Sequence, residues 1–115
     1  MTHGAYHHIR EAWKKPNAAT LRERMVQWRK EGTFTKVEKP LRLDRARGLG
    51  YKAKVGFVVI RVKLVRGGHK RTRPKKARRS KRMHTRKNLK ISYKVIAEAR
   101  VSKRYPNLEV LNSYK

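Results

Sequence analysis

Between Asp44 and Glu98 the chain carries no acidic residue and 20 lysines and arginines. A field of one sign over so long a stretch restricts what can fold there, because every added cation raises the self-repulsion of a compact state. Over the whole chain 34 Lys and Arg stand against 7 Asp and Glu, a net charge of +27 in 115 residues. That excess goes well beyond what solubility requires and points to a structure finished only against a polyanion. The acids sit on the flanks: Glu11, Glu23, Glu31, Glu38 and Asp44 on one side, Glu98 and Glu109 on the other. There they can pair locally with Lys and Arg, the pattern of folded flanks around a centre that faces solvent or phosphate.

The length suits one domain, with a core that its own apolar residues fill only in part. The absence of cysteine excludes disulfides, thiolate metal sites and thiol nucleophiles, and is compatible with a reducing compartment. No apolar run approaches the roughly 18 residues of a membrane span, and a first decade holding His3, His7 and His8 has no signal-peptide pattern. A cytoplasmic location is therefore expected.

Along the chain, a short helix is expected over residues 5–15, with Ile9, Ala12 and Trp13 on one side and Pro16 and Asn17 as its stop. A second is expected over 20–30, opened by a capping box of Thr20 and Glu23 and ended at Gly32. Its apolar stripe is Leu21, Met25 and Trp28. Both tryptophans read as core or helix-packing residues. Residues 33–50 look irregular, broken by Pro40 and by Gly48 and Gly50. The strongest strand signal runs over 55–65: Val58, Ile60, Val62 and Leu64 on one face, and Val55, Phe57 and Val59 followed by Arg61 and Lys63 on the other. Such a strand would reach about 33 Å, wet or phosphate-facing at its far end, and would end at Gly67 and Gly68. A helix over 92–104 follows from Tyr93, Ile96, Ala97, Arg100 and Val101, with Tyr93 packing on Ile96. Residues 108–114 read as a second strand.

The segment between these elements has a different character. Over 70–87, 11 of 18 residues are Lys or Arg, Pro74 interrupts, and Ala77 and Met83 are the only apolar side chains. Nothing there supports a core, so an extended limb ordered by its ligand is expected. Arginine can grip two phosphate oxygens where lysine offers a mobile point charge. The expected RNA-binding residues are accordingly Arg66, His69, Lys70, Arg71, Arg73, Lys75, Lys76, Arg78, Arg79, Lys81, Arg82, His84, Arg86, Lys87 and Lys90 in the limb. Arg42 and Tyr51 join them around the glycine turn, with Arg61 and Lys63 on the strand. Tyr51 is open between stacking on a base and anchoring its loop.

The limb is broken by Gly67, Gly68 and Pro74, so it lacks a helix suited to a DNA major groove, and no zinc-finger or zipper spacing occurs. RNA recognised by loops and arms fits better. A DNA-compacting, chromatin-like protein and a module that binds acidic proteins stay open as alternatives. No metal or cofactor site is expected: His7 and His8 diverge on a helix, and His3 and His7 have no acidic or sulfur co-ligand. Catalysis is not expected either, since Ser80, Ser92, Ser102 and Ser113 stand in no relation to a histidine and carboxylate pair, and residues 47–51 form no phosphate-binding fingerprint. A small-molecule substrate is likewise not implied.

Four stretches carry a resemblance over nearly the whole chain, in order. They are Gly4-Ala5-Tyr6 through Glu11-Ala12-Trp13, the run from Arg45 to Lys54, the strand leading into Arg66-Gly67-Gly68, and Leu111-Asn112-Ser113-Tyr114. Together they resemble the archaeal and eukaryotic large-subunit ribosomal protein fifteen, the e-type family. The resemblance implies a non-enzymatic protein of the cytoplasmic ribosome, bound to large-subunit ribosomal RNA and neighbouring large-subunit proteins, with arms among rRNA helices. It implies RNA contacts at Arg45, Arg47, Lys52 and Lys54 and along the limb after Arg66. Family members continue beyond the position of Lys115, where tryptophan is usual, with a further helix, two strands and a basic tail.

The expected fold is therefore α+β: a small antiparallel-sheet domain with N-terminal helices and an extended basic loop, its sheet incomplete. The expected organisation is a helical segment over 1–32, a basic glycine-containing connector over 33–54, and a partial α/β domain over 55–115 that holds the basic loop 66–90.

Overall fold

The computed structural model describes residues 2–68, 76–77 and 89–115. Helix α1 (Ala5–Lys14) ends where Pro16 forces the preceding residue out of the helical region, Lys15 lying at φ −129° and ψ 75°. Helix α2 (Ala18–Lys30) begins at once, and Asn17 starts it: the Asn17 side chain accepts from the Ala19 N–H at 3.0 Å. The expected capping box of Thr20 and Glu23 is not formed. Asn17 has the extended backbone a cap needs, at φ −64° and ψ 129°, so the helix nucleates earlier and Thr20 falls inside it.

Strand β1 (Phe34–Val37) and the short helix α3 (Leu43–Gly48) lie in the stretch expected to be irregular. Strand β2 (Val59–Val62) is the centre of the long strand expected over 55–65. Its ends are set by its partner. β1 pairs with it antiparallel, Phe34 opposite Val62 and Val37 opposite Val59, and one further bond, Lys63 N–H to Thr33 O at 2.9 Å, closes the ladder. Beyond it Val65 is 88% exposed, and on the other side residues 53–56 turn, Phe57 N–H donating to Lys54 O at 3.3 Å.

Helix α4 (Tyr93–Arg104) lies within a residue of its expected bounds. Ser92 caps it by accepting from the Val95 N–H at 3.5 Å. It packs on β2, and the ring of Tyr105 meets Phe34 edge to face at 6.4 Å, so the sheet face carrying Phe34, Ile60 and Val62 looks toward α4. The strand expected over 108–114 does not form. Local bonds replace a ladder there: Ser113 N–H goes to the Asn112 side chain at 2.9 Å, and the Ser113 hydroxyl donates to the Glu98 carboxylate of α4.

Among the described residues only Pro40 and Ala46 are buried, Ala46 at 6% exposure, and every other apolar side chain is half-buried or exposed. The architecture is a small α+β arrangement, a two-stranded antiparallel sheet with α4 on one face and α1 and α2 leading into it. Its Cα radius of gyration of 19.0 Å exceeds the roughly 13 Å of a compact domain of this length.

Candidate nucleic-acid interface

Helix α3 and the turn behind it bring one group of cations together. The amides of Leu49, Gly50 and Tyr51 all turn back on α3, Tyr51 N–H reaching Ala46 O at 3.0 Å, and Gly50 takes the left-handed φ of +103° that this reversal needs. Arg45, Arg47, Lys52 and Lys54 are thereby carried by one tightly folded unit, and all four are exposed. Its anchor in the fold is Ala46, which faces inward while α3 packs against α1. Tyr51 is half-buried at the root of the turn.

Arg47 is held from α1. Its Nη1 donates to the Tyr6 hydroxyl at 2.6 Å, and its guanidinium lies 5.8 Å from the centre of the Tyr6 ring. That leaves the remaining donors of the fork to a ligand, in an orientation fixed in advance.

Arg42, Arg61 and Lys63 are used differently. The Arg42 guanidinium lies 5.7 Å from the centre of the Trp13 ring and 3.6 Å from the Asp44 carboxylate, while its backbone N–H donates to the Tyr114 hydroxyl at 3.3 Å. Asp44 Oδ1 and Arg42 Nε are buried there without a partner. Arg61 places Nη1 3.0 Å from both oxygens of Glu31 and lies over Trp28 at 5.5 Å. Lys63 reaches the end of α2, its Nζ donating to Glu31 O at 2.7 Å and to Arg29 O at 3.4 Å, where the helix dipole favours a cation. At the far end of the strand, then, Arg61 and Lys63 both have partners inside the chain.

The tryptophans are neither core nor free platforms. Both are half-exposed and both lie under arginine: Trp13 under Arg24 at 5.0 Å as well as Arg42, and Trp28 under Arg61. Arg24 replaces Met25 on the inner stripe of α2, and Met25 is 45% exposed. Hydropathy spacing could not show this, since it scores arginine as outward, whereas cation–π attraction turns it in.

Arg66 and Lys90 are exposed at the two ends of the limb. Gly67, at φ +123°, donates its N–H to the Tyr93 hydroxyl at 3.1 Å, so the tyrosine expected to pack on Ile96 ties down the limb's start. Lys76 and Ala77 form an exposed turn with left-handed φ of 57° and 55°. His69, Lys70, Arg71, Arg73, Lys75, Arg78, Arg79, Lys81, Arg82, His84, Arg86 and Lys87 lie outside the described residues, as does the expectation of an extended limb.

Among the described residues no three His, Cys, Asp or Glu side chains come together as a metal site would require, and no helix is long and apolar enough to cross a membrane. Three acids do have basic partners: Glu11 pairs with Lys14 at 2.7 Å, Glu31 with Arg61, and Asp44 with Arg42.

An exposed, preorganised set of cations with its nearby acids engaged inside the chain suits a polyanion, and sequence comparison says which kind of protein carries it. Residues 4–115 match the family described as Ribosomal L15. The chain belongs to that family. A curated relative is the large ribosomal subunit protein eL15 of Methanospirillum hungatei JF-1, 50% identical over 119 aligned residues that take in 99% of this chain and 61% of the relative. The chain thus spans about three fifths of the length of this Ribosomal L15 relative.

Proposed function

We propose that this chain is a structural, non-catalytic component of the large ribosomal subunit that binds and locks large-subunit rRNA beside neighbouring ribosomal proteins. The observation that carries the reading is the Ribosomal L15 match over residues 4–115. It favours RNA over the DNA compaction that charge alone leaves open. The place of action is the ribosome of the cytoplasm.

Within this reading the cations divide into two groups. Arg45, Arg47, Lys52, Lys54, Arg66, Lys76 and Lys90 reach phosphates from exposed positions, with the limb's other basic residues extending the contact. Arg42, Arg61 and Lys63 hold the fold that presents them. Tyr51 anchors the glycine turn. Gradient sedimentation of extract from the source organism tests the function. Co-migration with large subunits that survives moderate salt is expected, whereas recovery only in a nucleoid fraction would refute it.

A further inference from the structure

Arg47 differs from the other arginines that the fold holds in place. Arg42 and Arg61 are held by carboxylates, of Asp44 at 3.6 Å and Glu31 at 3.0 Å, which offset their charge as they orient them. Arg47 is held by a neutral acceptor: its Nη1 donates to the Tyr6 hydroxyl at 2.6 Å, and it takes no part in the ion pairs formed among the described residues. Its guanidinium is thus oriented with its charge undiminished. Both ends of the bond rest on packed elements. Tyr6 lies in the first turn of α1, Arg47 follows the buried Ala46 in α3, and the two helices pack on each other. Both residues are nonetheless exposed, Tyr6 at 38%.

A phenol hydroxyl is an acceptor and a donor at once. Because Tyr6 Oη accepts from Arg47, its own proton is directed elsewhere, and polarisation by the cation makes that O–H a stronger donor. Among the described residues it donates to nothing. The remaining N–H groups of the Arg47 fork and the Tyr6 O–H therefore stand side by side at the surface. With Nη1 and Oη 2.6 Å apart, an anion that carries two oxygens on one centre can span them. We propose that Tyr6 and Arg47 together bind one backbone phosphate of the RNA partner, the guanidinium supplying charge and N–H donors and the Tyr6 hydroxyl a further, uncharged donor. The inference rests on the rRNA-binding reading above and adds to it a contact residue that charge does not single out.

Affinity for a transcript of M. hungatei large-subunit rRNA, measured at several salt concentrations for the parent chain, Tyr6→Phe, Arg47→Ala and the double variant, tests it. Tyr6→Phe keeps the ring and removes only the hydroxyl, and circular dichroism checks that the helices still form in every variant. Tyr6→Phe is expected to weaken binding roughly tenfold, the effect of losing a hydrogen bond to a charged group, with the salt slope unaltered because the hydroxyl carries no charge. Arg47→Ala is expected to weaken it further and to lower the slope by about 0.7 to 0.9. On the Arg47→Ala background, Tyr6→Phe should change affinity by less than about twofold, since no cation then draws the phosphate to the hydroxyl. An equal loss on both backgrounds would make Tyr6 a packing residue alone and overturn the proposal. A Tyr6→Phe affinity within about twofold of the parent, or an Arg47→Ala slope equal to the parent's, would overturn it as well. Failure of the parent chain to bind the transcript would instead sink the rRNA-binding reading, and this inference with it.

Discussion

A guanidinium that already holds a carboxylate is a poor ligand for phosphate, because binding RNA would first have to break the internal pair. Arg61 and Arg45 test this at the scale of single residues. Arg61 and Glu31 are only 28% and 18% exposed, so Arg61→Ala leaves a partly desolvated carboxylate unpaired and is expected to cost about 1 to 2 kcal/mol. Arg45 is exposed on α3; Arg45→Ala should leave stability within about 0.5 kcal/mol and reduce the RNA salt slope by about 0.7 to 0.9. Denaturant melts and salt-dependent binding read the two effects separately, and a steady melt with a shallower slope in Arg61→Ala would reverse the assignment. Glu11 offers a check by pH. The hydrogen bond from Lys14, together with its charge, holds the Glu11 carboxyl below the ordinary glutamate range. A carboxyl depressed by folding contributes at pH above its unfolded value, and that contribution fades as pH falls through the lower folded value. An NMR titration should show Glu11 returning to the ordinary range in Lys14→Ala.

At the scale of elements, the ends of α2 are decided by which residue reaches a free amide. Asn17→Ala removes the acceptor for the Ala19 N–H and should cost about 1 kcal/mol, whereas Thr20→Ala, inside the helix, should cost less than about 0.5 kcal/mol. Thermal melts of the two variants decide between Asn17 and the capping box. The same contrast explains what the sequence could reveal. Helix α4 was legible because Tyr93, Ile96, Ala97, Arg100 and Val101 keep near-helical spacing over its whole length. The centre of β2 was legible because its alternation is strong, but its length was not, since a ladder is only as long as its partner. That partner, β1, is four residues long, too short for a period of two to stand out beside Pro40. Residues 108–114 alternate as a strand should, yet alternation states only that one side of a segment is apolar. Bonds from Ser113 to the Asn112 and Glu98 side chains gave the segment another way to satisfy its polar groups. Arg45, Arg47, Lys52 and Lys54 were legible as a group only through the family resemblance carried by the run from Arg45 to Lys54. The internal pairing of Arg61 and Lys63 was not, because it depends on Glu31 and the end of α2 arriving from elsewhere in the chain.

At the scale of the whole molecule, a half-exposed core is set against a charge of +27. Salt should therefore act with opposite signs on the free chain and on its RNA complex. Without RNA, like charges repel across the fold. Raising ionic strength from about 0.01 M to 0.15 M shortens the screening length from about 30 Å to 8 Å, so the melting temperature of the free chain should rise. With RNA, the folded state gains in proportion to the logarithm of ligand concentration over Kd, and Kd climbs with salt as counterions compete for the phosphates. If eight cations neutralise phosphates, log K falls by roughly 6 to 7 units per tenfold rise in salt. The increment in melting temperature that RNA confers should then shrink over the same range in which the free chain gains stability. Calorimetry of both samples along one salt series makes the comparison. An RNA-dependent increment that holds or grows with salt would mean that apolar contacts, not paired charges, hold the complex together.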